Sequence, residues 1–493
     1  MYRFLLLFPV VGIISFASLG AELSVAVSTE PPGLDPTTNA AAVIDFLLQH
    51  NLYEGLVQVD ADGNIHGQIA ETWEASPDGR TWTFHLRPGI TFHDGTPCDA
   101  ASVRESFLRA MDPATGHPHP EYYQGVEEIE VLDPQTMRFH LGAPNAAFLA
   151  LLAQGDSVIV PASASDLAVH PVGTGPFRFV EWRPGDRIVL ERNPNYYLPG
   201  IPKLDRVTFR FIPDPAAQLA ALRAGDVDLV AEITPEVAVR LEGDPRFAVV
   251  SGPQALVQIL ALNNAREPFA DPRVRQAIAH AVDRDQIIEL VSLGYGTPIG
   301  SHVTPAIFYY ADMTWLYPHD PARARELLRE AGYPAGFSAT LTLPSNYVFH
   351  VRTGELIAAQ LREVGIKVAL ELVDWGMWLE RVHAQADYDL TVIGHVGRLD
   401  PALMLWDYGP ARPDYYFRRG FENAELDRLL EIGATTADPE ARRAIYTVAQ
   451  YLIAREVVNV FIQDPHRILA ARRGVEGLEV FPIYVLDLTA VAG

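Results

Sequence analysis

The chain has 493 residues, with 38 Lys+Arg against 62 Asp+Glu, a formal charge of -24, 48% hydrophobic residues and one cysteine. That much apolar material beside a 20% charged fraction fills large cores and excludes an acidic disordered polymer. The negative balance, with no Lys/Arg-rich run, argues against nucleic acid as a partner. Cys98 alone forms no intramolecular disulfide, and one thiolate builds no Cys-rich zinc site or iron–sulfur cluster, so packing must carry stability and no cofactor is expected.

Residues 1–20 read as a signal peptide. Arg3 precedes the apolar run 4–16, and small residues follow from Ala17 to Ala21, a length short for a bilayer span but suited to a cleaved export signal. An uncleaved N-terminal anchor is the alternative. Cleavage near Gly20 removes Arg3 and leaves 37 minus 62, or -25. An exported, soluble mature protein is expected.

Next come period-two strands: Trp82, Phe84 and Leu86 alternate with Thr81, Thr83, His85 and Arg87, and Val207, Phe209 and Phe211 alternate with Thr208 and Arg210. Helices are announced by Asp214-Pro215, Asp271-Pro272, Asp320-Pro321 and Asp438-Pro439, where the carboxylate caps free N–H groups and proline needs no donor. Gly225 stops the first. From Arg352 a helix runs to Gly365 and gives way to a strand with Ile366, Val368, Leu370 and Leu372 on one face. The first third is rich in strands and turns and the rest alternates strand and helix, which predicts an α/β fold of several units.

Catalytic motifs are sparse. Gly173-Thr174-Gly175-Pro176 leads into a strand rather than a helix, so it is no dinucleotide loop. His85, His93, Asp94, His117 and His119 have no metal-site spacing, and Cys98 reads as a small buried residue.

Four stretches in order carry a resemblance. Residues 73–97 contain Ser76-Pro77-Asp78-Gly79, Trp82-Thr83-Phe84 and Phe92-His93-Asp94-Gly95-Thr96-Pro97. Val172-Gly173-Thr174-Gly175-Pro176-Phe177, Asn193-Pro194-Asn195-Tyr196-Tyr197, and Pro268-Phe269 with Asp271-Pro272-Arg273-Val274-Arg275 follow. Together they resemble family 5 extracellular solute-binding proteins, the dipeptide, oligopeptide and nickel-type components of ABC importers. The resemblance implies a two-lobed periplasmic-binding-protein fold with an extra strand-rich subdomain in the first lobe. Lobe I would hold residues 21–260 with a subdomain at about 47–170, lobe II 261–470, and 471–493 would return to lobe I. The chain would cross near 261–264 and 470–474. It further implies a monomer that captures a peptide-like, opine-like or oligosaccharide solute in the periplasm for an inner-membrane ABC permease, with no turnover. An exported enzyme acting on such a solute is the other reading, and it requires an acid/base or nucleophile constellation.

Peptide-binding members place an acidic residue against the ligand ammonium in the stretch aligned with residues 393–401. Here that position is Gly397, so common dipeptides are expected to bind poorly unless Asp400 substitutes. The same loop offers His395, Arg398 and Asp400 as ligand groups. Arg352 falls near the family's carboxylate-binding arginine and has a fork suited to that role. Trp375 and Trp406 are the aromatic candidates for the cleft.

Overall fold

A computed structural model describes residues 21–396 and 398–493; the expected signal peptide and Gly397 lie outside the described residues. All four Asp-Pro pairs open helices, Pro215–Ala224, Pro272–Ala281, Pro321–Glu330 and Pro439–Arg455. In each, the aspartate carboxylate accepts from a first-turn N–H that has no partner within the helix. Gly225 ends the first helix at φ 83°, a conformation open to glycine at no steric cost.

The strand Thr81–Leu86 sits inside a four-stranded antiparallel sheet ordered Ala70–Ala75, Thr81–Leu86, Thr136–Leu141, Val126–Asp133. Its Trp82, Phe84 and Leu86 are buried, and the helix Ala100–Met111 packs over the sheet, Phe107 meeting Phe139 edge-on at 5.1 Å. This strand-rich unit falls within residues 47–170. Gly173 and Gly175 are required by close approach: a Cβ on either would lie 2.1 or 2.7 Å from the backbone oxygens of Leu52 and Asn51.

Among the described residues, Val57–Val59 pairs with Ile65–Gly67 as a separate two-stranded sheet, and the remaining strands form one sheet of twelve. Its common member is the long strand Asn459–Arg472. Residues 459–463 pair with Leu256–Leu262, and residues 466–472 pair with Phe247–Pro253. The exchange of partners falls at 254–255 and 464–465, ahead of the crossings expected at 261–264 and 470–474, and we propose these as the lobe boundaries. Ala255 adopts φ 54° there, and the Asp464 carboxylate ties the two strands by accepting from the N–H groups of Leu256 at 3.1 Å and Gln254 at 3.4 Å.

One core lies under lobe I, built on Val25, Leu47, Phe177 and Phe209, and another under lobe II, built on Ile278, Leu341, Leu361 and Val392. A third joins the subdomain's Trp82, Phe84 and Phe148 to Tyr416, Phe417 and Phe461 of lobe II. The lobes also touch directly. Ala146 N–H donates to the Ala434 carbonyl at 3.0 Å, Arg352 pairs with Glu236, and the Tyr295 hydroxyl donates to Glu242. This is a closed arrangement. The strand Lys367–Val373 is the outer edge of the sheet, and Leu370 and Leu372 on it are 42% and 56% exposed. No helix among the described residues is long and apolar enough to cross a membrane.

Candidate functional site

The strand Leu390–Val396 carries His395 and then the loop with Arg398 to the seam between the lobes. The His395 ring nitrogen Nε2 lies 2.6 Å from the Tyr416 hydroxyl, and the ring packs against His302 and Phe417. Burial pushes its pKa down to about 4, which makes it a neutral part of an aromatic wall.

That wall continues through a short helix. Asp374 caps the turn Trp375–Trp378, and a wider π turn, Leu379–Ala384, follows it. The extra residue per turn aims His383 at Tyr415 and Tyr416, each 5.5 Å away. Trp375 stacks on Trp378 at 5.0 Å with planes 6° apart, and the Trp378 indole N–H donates to Thr391 at 3.0 Å. Tyr347 meets Trp375 edge-on. Beyond them Trp406 is 55% exposed, and Arg412 lies over the Tyr415 ring while pairing with Asp407 at 2.6 Å.

Arg398 is exposed and makes no hydrogen bond or ion pair among the described residues. Its charge is felt on both sides of the seam. On lobe I the Glu121 carboxyl is held below its ordinary range: burial opposes this, and His119 and, more weakly, Arg398 bring it about. The Tyr122 hydroxyl is raised by burial and by Asp156, with Arg398 acting against them. On lobe II, burial raises Asp407, while Arg412 and then Arg398 oppose it.

Asp400 is placed differently from the expectation. It is 3% exposed and both its oxygens meet Arg442, at 2.5 and 2.6 Å, while one also accepts from Ala402 N–H to cap the helix Pro401–Met404. Its charge is thus paired with a buried guanidinium and most of its acceptor positions are taken inside the protein, although it also lines the cavity between the subdomain and lobe II. Arg352 stands on the helix Val348–Glu363 in its ion pair with Glu236, apart from the Arg398 group. The structure thus brings Trp375, His395 and Arg398 to one wall, with Trp406 on the adjoining turn.

Lobe I holds groups that sequence reasoning did not single out. Asp156 is 7% exposed, and neither of its carboxylate oxygens has a hydrogen-bond partner. Asp45, half-buried on the helix Ala42–Leu48, is raised to about 8 by burial first and by the charge of Asp156 second. Their only trace in the sequence is an aspartate within an otherwise apolar helix face. Between the subdomain and lobe II lies a cavity of about 460 Å³, lined among others by Trp73, Trp82, Tyr309 and Arg442.

Comparison with known proteins gives a consistent result. The model of the bacterial extracellular solute-binding proteins, family 5 (middle region), matches residues 64–414. The glutathione-binding protein GsiB of Escherichia coli strain K12 is 30% identical over 481 residues, covering 95% of this chain and 94% of GsiB. Among solved structures, the binding protein AgaA from A. tumefaciens R10, in complex with agropinic acid, is 31% identical with a TM-score of 0.72, over 95% of this chain and 96% of AgaA. The ABC transporter-associated periplasmic binding protein DppA from Helicobacter pylori, in complex with the peptide STSA, is 28% identical with a TM-score of 0.73, over 96% and 98% of the two chains.

Proposed function

The chain belongs to the family 5 bacterial extracellular solute-binding proteins, and on that premise we propose that it captures a small amphoteric solute, peptide-like or opine-like, between its lobes for delivery to an inner-membrane ABC permease. It is the substrate-binding component of such an importer. The observation that carries the solute class is Arg398: an unpaired guanidinium on the loop after His395, at the end of the aromatic wall that includes the stacked Trp375 and Trp378, suits an acidic group on a solute with a flat or apolar body. Glutathione, agropinic acid and a free peptide, named for the relatives, all carry such a group. Oligosaccharides lack it and fit less well.

In this reading the protein is a receptor rather than an enzyme, works as a monomer, and acts in the periplasm after losing residues 1–20. The family relationship supports the receptor role and the periplasmic location. The test is to denature the purified protein and identify the released small molecule by mass spectrometry, then to return that molecule to fresh protein. Recovery of an unchanged acidic solute at one equivalent is the expected result. Conversion over many turnovers would move the protein to the enzyme reading.

A further inference from the structure

We propose that Asp45 and Asp156 of lobe I together hold the cationic nitrogen of the solute, an ammonium or guanidinium group, while Arg398 of lobe II takes its acidic group; this rests on the receptor reading above. The loop expected to supply an ammonium partner offers no free carboxylate, because position 397 is glycine and Asp400 is paired with Arg442. The unpartnered carboxylates stand on the opposite lobe.

Their geometry is specific. Asp156 lies in the turn Gly155–Ser157, and a Cβ placed on Gly155 would fall 2.3 to 2.7 Å from the carboxyl atoms of Asp45. The Asp45 carboxyl therefore fills the space directly against the backbone that carries Asp156, and it accepts no hydrogen bond among the described residues. Nearby histidines act on Asp156 through space, His117 and His119 both opposing the effect of burial, but neither bonds to its carboxylate oxygens. His117 places Nε2 3.0 Å from the Asp156 backbone carbonyl, and its Nδ1 accepts from His119 N–H at 3.1 Å. His119 is occupied by Glu121 at 2.9 Å.

Asp45 has lost its water and stands beside Asp156, which is why it holds its proton to about 8, burial leading and the charge of Asp156 second; Asp156 is itself raised by burial, with His117 and His119 opposing. An entering organic cation removes both penalties together. Tyr122 feels Asp156, Arg398, Glu121 and Asp45, so the pair and Arg398 share one neighbourhood across the seam. No cluster of three or more metal-ligating side chains occurs among the described residues, so an organic cation suits the pair better than a divalent metal.

The test has two arms. In the first, the mature protein is labelled with a carbodiimide and a neutral amine, and modification of Asp45 is read by mass spectrometry in methylguanidinium chloride and in equal sodium chloride. Methylguanidinium should protect Asp45, and the protection should vanish in Asp156→Asn, a variant expected to fold at least as well because it removes a buried repulsion. Absence of protection, or equal protection by magnesium chloride, overturns the proposal. In the second arm, calorimetry compares glutathione and the peptide Ser-Thr-Ser-Ala with their N-acetylated forms. The free-amine forms should bind at least about tenfold more tightly, a gap of about 1.4 kcal/mol, and Asp156→Asn should close that gap. A gap that is absent in the parent, or that survives in the variant, contradicts the proposal. If none of the four probes binds, the peptide-like reading fails by itself, and the labelling arm still decides the carboxylate pair.

Discussion

Arg398 and Arg352 are both arginines of lobe II, but only one is available to a solute. Arg352 is spent on an exposed pair with Glu236, a kind of contact worth about 0 to 1 kcal/mol. Arg352→Ala should therefore change solute affinity by less than about tenfold. Arg398→Ala should weaken binding by about 2 to 5 kcal/mol, because it leaves a desolvated acidic group of the solute without its partner. Calorimetry on both variants with the copurifying solute checks the contrast, and equal small losses would remove Arg398 from the site. Asp400 belongs to a different category. Its bidentate pair with Arg442 is buried on both sides, so Asp400→Ala should lower unfolding stability by about 3 to 5 kcal/mol in a denaturant titration, whatever it does to binding. The proximity of Asp400 to Arg398 was plain in the sequence. Its actual partner was not, because Arg442 lies 42 positions away on a helix whose packing is set by tertiary contacts.

At the scale of elements, the parts that were legible are those fixed by local chemistry. An aspartate before a proline caps a helix wherever it stands, and alternation of Trp82, Phe84 and Leu86 needs only one buried sheet face. The exchange of partners along Asn459–Arg472 had no comparable mark, since the strand runs straight through it and only its neighbours change. For the same reason the alternation puts Leu370 and Leu372 on one face of a strand without revealing how exposed that face is: periodicity reports a strand but not its place at a sheet edge. The exchange point has a titratable group. Burial raises Asp464 to about 7 against the hydrogen bonds of Leu256, Gln254 and Ala255, with Arg467 as a weaker opposing charge. The folded protein thus keeps this proton between pH 3.8 and about 7, where the unfolded chain has released it. Its contribution to stability is complete below pH 3.8 and is lost as pH rises toward 7. Asp464→Asn can still accept from the same N–H groups and cannot ionise. Thermal melts across this range should show a flatter decline for the variant than for the parent, and parallel curves would show that Asp464 does not titrate there.

At the scale of the whole molecule, the structure is the closed form of a two-lobed receptor. The strands Phe247–Pro253, Leu256–Leu262 and Asn459–Arg472 connect the lobes, and contacts such as Ala146 with Ala434 and Arg352 with Glu236 hold them together across the seam. Each interlobe contact at the surface is weak and the shared apolar core adds to them, so a solute that bridges both walls and binds the closed form better than the open one shifts the balance further toward closure. Small-angle scattering on the mature protein, first stripped of solute by denaturation and refolding and then saturated with the solute that copurified, tests this most directly. The account predicts a larger radius of gyration for the stripped protein and a decrease on saturation to the value calculated from the closed structure. An identical radius in both states, with binding confirmed in the same sample, would contradict closure of the lobes around the solute.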